Sequence, residues 1–229
     1  MKGQERTRVF LLISFALLFA SCTVVKNEQV SSGSITTEEE SFKGFSYRDS
    51  NFNPQQYAEA IWEPVVLPRI ESLAVDIHEL LAELGSDEEG ASRKYGFRHL
   101  AEGNLYNFSV KGTARILSAD TSSMNGFISA DLAPFDGQAD FNIIIGPIFR
   151  GNTIRDIQDT ISINDFLNQT EFARLARELN NRVRDLVIGD IDFSQHVGEE
   201  VEFLGAFTYS GRGSVIEIIP VRLTFTGNN

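Results

Sequence analysis

LYNFSVKGTARILS, residues 105–118, is where the period of the apolar residues changes from about 3.6 to about 2. Tyr106, Phe108, Val110, Ala114 and Ile116 alternate with Asn107, Ser109, Lys111, Thr113 and Arg115, the pattern of a strand with one buried face. Gly112 in its middle predicts a bulge or a sharp coil of the kind a small barrel needs at a corner.

Downstream, the turn DTSSMNG (120–126) leads to FISADLA, with Ile128, Ala130 and Leu132 on one face. FDGQ then leads to ADFNIIIG, with Phe141, Ile143 and Ile145 on one face, so three strands form a meander. After a helical stretch, residues 199–225 carry two more alternating runs around SGRGS, a hairpin. Pro220 cannot donate to a ladder, so its strand is expected at an edge or bulged there.

Upstream, residues 51–84 recur at helical spacing through Tyr57, Ile61, Ile70, Leu73, Ile77, Leu80 and Leu84. Asn53 before Pro54 signals a helix start. Pro64 and Pro68 predict a kink, then one longer helix to about Leu84. SDEE, 86–89, reads as a capping box opening a further short helix. Trp62 reads as core rather than as a ligand cover.

The fold class that follows is α+β. N-terminal helices pack on a five-stranded, OB-like antiparallel barrel, with a helical crossover between its third and fourth strands. A twisted sheet packed on helices is the alternative. The expected organisation is a signal peptide (1–21), a lipidated cysteine and flexible tether (22–46), a helical region (47–100) and the OB-like part with inserted helices (101–229).

The first segment rests on a basic start, Lys2, Arg6 and Arg8, followed by the 12-residue apolar run VFLLISFALLFA. A helix spanning a bilayer needs about 20 apolar residues, so this is read as a secretory signal. LFASC ends it, and Cys22 is the only cysteine in the chain. The segment resembles the lipobox of bacterial lipoproteins, which implies lipidation of Cys22 and a membrane anchor. Phe19 departs from the Leu, Val or Ile usual there. An ordinary cleaved signal and an uncleaved anchor are the competing readings.

Loss of residues 1–21 would remove Lys2, Arg6, Arg8 and Glu5, leaving 17 basic against 31 acidic side chains and a net charge of −14. Such a surface repels phosphate backbones, so nucleic acid is not an expected partner. With Cys22 at the anchor, no disulfide or thiolate metal site is expected.

In the crossover, TIRD and SIND match the Ser/Thr-x-x-Asp pattern of helix starts, which assigns Thr153, Asp156, Ser162 and Asp165 as caps. Phe172, Leu175, Leu179, Val183 and Leu186 line one face of the next helix, with Glu178 and Arg182 as an i,i+4 pair. Arg150, Asn152, Arg155, Asn168 and Gln169 remain as candidate ligand- or partner-binding residues, since an arginine fork in a Gly-rich turn suits a carboxylate or phosphate. Internal pairing with acids is the alternative for both arginines. His78, His99 and His196 are scattered, and no nucleophile elbow, zinc motif, P-loop or dinucleotide fingerprint is present. No cofactor, metal or catalytic residue is expected.

FNPQQYAEAIWEPVVLP, VKGTARI, the block GPIFRGNTIRDIQDTISINDFLNQTEFARLARELN and EVEFLGAFT resemble the predicted periplasmic lipoproteins classed as domain of unknown function twenty-two ninety-one. The similarity runs from about Phe52 to Leu223, and Asn152 is its least conservative departure. The resemblance implies a lipid-anchored accessory protein without an assigned activity, binding a small solute or a component of a sugar-type ABC transporter. A structural envelope lipoprotein and a hydrolase acting on sugars or cell-wall material are the alternatives.

Overall fold

The computed structural model describes residues 52–99 and 105–226, all within one compact unit. The signal segment, Cys22 and the tether lie outside the described residues.

Six strands form one sheet: β1 (Val75–Asp76), β2 (Tyr106–Asp120), β3 (Phe127–Asp131), β4 (Phe141–Ile144), β5 (Glu200–Tyr209) and β6 (Glu217–Thr226). The order is β1-β2-β3-β4-β6-β5, and β2 also pairs with β5, so five strands close into a ring with β1 outside it. The expectation of an all-antiparallel arrangement is corrected. β4 and β6 run parallel through Asn142↔Glu217 and Ile143↔Ile218, and β1 runs parallel to β2.

Alternation explains the ring's interior. Phe108, Val110, Ala114 and Ile116 of β2 meet Ile128, Ala130, Phe141, Ile143, Val201, Phe203 and Phe207 in one buried cluster. Gly112 does not make a bulge, since the β2–β5 register runs unbroken from Tyr106↔Tyr209 to Arg115↔Glu200. A Cβ at Gly112 would stand 2.8 Å from Ile77 Cγ2, so the glycine admits the helix that crosses it. The irregularity in β2 lies on its β3 side, between Ile116 and Ser118. Pro220 sits at a register shift, where Leu204↔Arg222 is followed by Gly205↔Pro220 and Val221 is left between them. That bulge lets an interior strand tolerate a proline.

The helices pack on the ring through β2, β5 and β6. Asn53 caps α1 (Pro54–Ile61), its side-chain oxygen accepting from the Gln55 and Gln56 amides at 3.1 and 3.2 Å. Helical winding continues through a wide π turn, Trp62–Val66, which contains Pro64, into α2 (Leu67–Leu73). The helix expected to reach Leu84 without interruption is instead broken at Ala74–Asp76. There Val75 and Asp76 pair with Val110 and Lys111, and Asp76 caps α3 (Ile77–Ser86). α4 (Glu88–Tyr95) is capped by Asp87, whose carboxylate accepts from the Gly90 amide at 3.0 Å, rather than by Ser86. Trp62 is 2% exposed and belongs to the core.

Between β4 and β5 run α5 (Thr153–Asp156), a 3-10 turn (Ile163–Asp165) and α6 (Gln169–Val183). α6 packs against α1 and α5 and buries Leu175, Leu179 and Val183. A second π turn, Arg184–Ile188, then rotates the face, so that Ile188 is buried and Leu186 is exposed instead of continuing the stripe. Glu178 accepts from the Asn181 side chain at 2.9 Å, taking the place of the expected pairing with Arg182.

Candidate functional site

The crossover begins where β4 ends. The Ile145 and Gly146 amides both donate to Gly126 O, at 2.9 and 3.0 Å, and the Ile148 amide donates to Met124 O at 2.9 Å. Gly146 takes φ +36, and a Cβ there would meet the Ile148 amide nitrogen at 2.8 Å. These bonds lay residues 146–150 along the β2–β3 loop, and Arg150 Nε donates to Asn125 Oδ1 at 3.1 Å.

The β5–β6 loop faces this segment and closes a cleft of about 260 Å³, whose walls include Asn125, Arg150, Thr153, Thr208, Val215 and Glu217. Its polar floor is ordered. Thr208 donates to Asn107 Oδ1 at 2.7 Å and shares a 2.8 Å bond with the Thr153 hydroxyl, so Thr153 is the donor of that pair. The mouth is apolar: Val215 is 70% exposed and Ile148 46%, with Met124 at 60% beside Ile148. An apolar rim over a few fixed polar groups is the general make-up of a small-molecule site.

The β2–β3 loop is braced by Asp120, which accepts from the Ser122 and Ser123 amides at 3.1 and 3.2 Å and from the Ser122 hydroxyl at 3.0 Å. Hydrogen bonding from the Ser123 and Ser122 side chains, then from the Ser122 amide, holds its carboxyl below the ordinary 3.8. A depressed folded-state value stabilises the fold above the unfolded value, and that contribution disappears as pH falls through the folded one. The turn is therefore fully braced above pH 3.8 and loosens on acidification below it. Asp120→Asn should flatten that part of the acid-unfolding profile, followed by loop amide shifts in NMR; an unchanged profile would assign the acid sensitivity elsewhere.

The five residues singled out from sequence do not form one site. Arg150 lies in the cleft just described, whereas Asn152, at the start of α5 without capping it, lines a second cleft on the α6 side. Arg155 is 6% exposed and satisfied within the fold: it donates to Asp156 Oδ1 from Nε at 2.7 Å and to Phe172 O from Nη1 at 3.0 Å. Asn168 caps α6, accepting from the Glu171 amide at 3.0 Å, and Gln169 is the exposed first residue of that helix.

Of the expected caps, Ser162 and Asp165 form a reciprocal box around the 3-10 turn. Thr153 and Asp156 do not cap α5. The Thr153 hydroxyl is taken by Thr208 and the Asp156 carboxylate by Arg155. Asn125, Thr208, Val215 and Glu217 escaped the sequence reading, because DTSSMNG registers only as a turn and the residues flanking SGRGS only as strand ends until the topology brings them to one end of the ring.

Two carboxylates, Glu71 and Glu202, share a further cleft, where Glu71 is paired with Arg222 at 2.7 Å. His196 Nδ1 lies 2.8 Å from Glu199 Oε2, with its ring stacked on Phe225. Among the described residues no group of His, Cys, Asp and Glu is arranged to hold a metal, and no helix is long and apolar enough to cross a membrane.

Comparison with known proteins gives a family and a fold. The model of the family described as "Predicted periplasmic lipoprotein (DUF2291)" matches residues 12–224. No curated protein matches the chain. Among solved structures, an OB-fold protein from Thermotoga maritima superposes with a TM-score of 0.63 at 23% identity, covering 77% of this chain and 100% of that one. At that identity the likeness concerns the fold alone, and it agrees with the closed ring of five strands and the helical crossover between β4 and β5.

Proposed function

This chain belongs to the DUF2291 family of predicted periplasmic lipoproteins, and from that premise we propose that it is a non-enzymatic, solute-binding accessory protein held at the membrane through Cys22. One observation carries the reading: the β2–β3 and β5–β6 loops converge on Arg150 at a cleft with an ordered polar floor and an apolar rim. The corresponding two loops are among the elements OB-folds use for oligonucleotides and oligosaccharides. An excess of 32 acidic over 20 basic side chains disfavours the former, leaving a hydroxyl-rich, saccharide-class solute. Arg150, Glu217 and the threonine pair supply donors and acceptors for hydroxyl groups, and Ile148 and Val215 offer apolar surface to a sugar ring. A component of a sugar-type ABC transporter is the partner the family resemblance implies.

The purely structural reading would be favoured by an apolar patch on residues 69–84. None of the exposed large apolar residues lies there.

Thermal unfolding of the full chain in a neutral detergent, against mono- and oligosaccharides, tests the proposal. A solute at about 100 times its dissociation constant stabilises by about 2.7 kcal/mol, raising Tm by roughly 5 to 10 °C for a chain of this size. Arg150→Ala should abolish the shift while leaving the unliganded Tm nearly unchanged, since Arg150 is exposed and, among the described residues, its one side-chain hydrogen bond is to Asn125. A shift that survives in Arg150→Ala, or none across the panel, would overturn the assignment of this cleft to a saccharide.

A further inference from the structure

The second cleft, on the opposite side of the crossover segment from Arg150, has a volume of about 470 Å³ and a different chemistry. Its polar walls are Asn152, Arg177, Asn180, Asn181 and Arg184, with no carboxylate among its lining residues. Arg177 and Arg184 are its two charged lining residues, and of these Arg184 is paired with Asp185 just outside the cleft. Arg69, Arg93, Arg115, Arg155, Arg174, Arg184, Arg212 and Arg222 each have an acidic partner. The exposed Arg177 side chain has neither an ion pair nor a hydrogen bond among the described residues.

The surrounding groups are fixed in place. Asn180 is 7% exposed; its amide nitrogen donates to Gly151 O at 3.1 Å, and its Oδ1 is buried without a donor. Arg184 donates from Nη1 to Asn181 Oδ1 at 3.0 Å and from Nε to Asp185 at 2.8 Å, which orients the guanidinium. The Asn181 amide is held in turn by Glu178. Residues 173, 177, 180, 181 and 184 follow helical spacing, so one face of α6 and the turn after it furnish the wall.

We propose that this cleft is an oxyanion site, taking the carboxylate or phosphate group of a small solute on the free fork of Arg177, with Arg184 as the second positive charge. A planar guanidinium pairs with either group through two parallel N–H···O bonds, and such charge-assisted bonds are stronger than neutral ones. The volume falls in the range of small-molecule sites. The proposal does not rest on the saccharide reading of the Arg150 cleft, because the anchoring residues differ.

Inorganic phosphate and citrate are the probes, each titrated into the full chain in neutral detergent, with sodium chloride at matched ionic strength as the reference. A saturable rise in Tm beyond the chloride control is expected from phosphate, citrate or both, and which one responds identifies the anionic group. Arg177→Gln should weaken the apparent Kd at least tenfold without lowering the unliganded Tm, and Arg177→Lys, which keeps the charge but not the fork, should fall between. Arg150→Ala should leave the response intact, which separates this site from the other cleft. Chloride acting as well as the oxyanions would overturn the proposal, as would an Arg177→Gln variant that binds like the parent.

Discussion

Gly205→Ala is expected to be among the most destabilising single-methyl additions in this chain, costing about 3 kcal/mol. A Cβ at Gly205 would stand 2.6 Å from Ile218 Cγ2, 2.6 Å from Ile219 O and 3.1 Å from Pro220 Cα. Two of those three atoms are backbone of β6, at the point where Val221 is left out of the ladder. A flexible side chain could swing away, but a bulged strand paired with β5 on both sides of the bulge cannot move without breaking that pairing. Overpacking a close-packed interior costs about 1–3 kcal/mol and more where backbone must shift. For a domain of this size the loss corresponds to a fall in Tm of roughly 6 to 12 °C. Chemical and thermal denaturation check it; a fall under about 2 °C would show that the bulge yields.

Arg155→Ala carries the second large effect, and it separates the two arginines that sequence treats as equals. The Arg155 guanidinium bonds to Asp156 and to Phe172 O, and its Cζ lies 3.5 Å from the centroid of the Phe172 ring. One side chain thereby ties α5 to α6. Removing a buried charged partner costs about 3–5 kcal/mol, and the low end applies because the Asp156 side chain, 33% exposed, can turn to water. The expected loss of about 3 kcal/mol is read by urea unfolding. Arg155→Met, which keeps bulk without the bonds, should recover part of it; a cost below about 1 kcal/mol for the alanine variant would make Arg155 a surface group in effect.

That contrast shows where sequence reading stops. Arg150 and Arg155 are five residues apart in the same turn-rich block, and composition cannot say which is buried. Burial is decided by Phe172, seventeen residues on, folding back over Arg155, while Arg150 is drawn outward to Asn125, twenty-five residues earlier. The strands were legible because a half-buried strand prints its period directly, and Pro220 foretold its bulge because a missing donor has few tolerable places. β1 was not legible. Val75 and Asp76 interrupt an apolar repeat that is helical on both sides, and only the parallel partner at Val110–Lys111 makes them extended. The cleft was hidden for the same reason, since its walls come from turns that become neighbours only once β2 and β5 have paired.

The closure of the ring bears on the order in which it is assembled. β2 and β5 are joined by ten residue pairs, and β5 and β6 by seven, whereas the β4–β6 seam rests on two. Each half of the ring can form from neighbours in the chain: β2, β3 and β4 through short turns, β5 and β6 through a hairpin. Joining the halves along β2 and β5 closes a loop of about 80 residues or more, an entropic cost that grows only slowly with length. Once that join is made, β4 and β6 are already held close, and the seam adds little further order. It is the shortest ladder of the ring, but Ile143 and Ile218, one of its two pairs, are both fully buried, so parting it would open the core that the five strands enclose. Burial thus offsets the few hydrogen bonds, and the seam is expected to part with global denaturation rather than ahead of it.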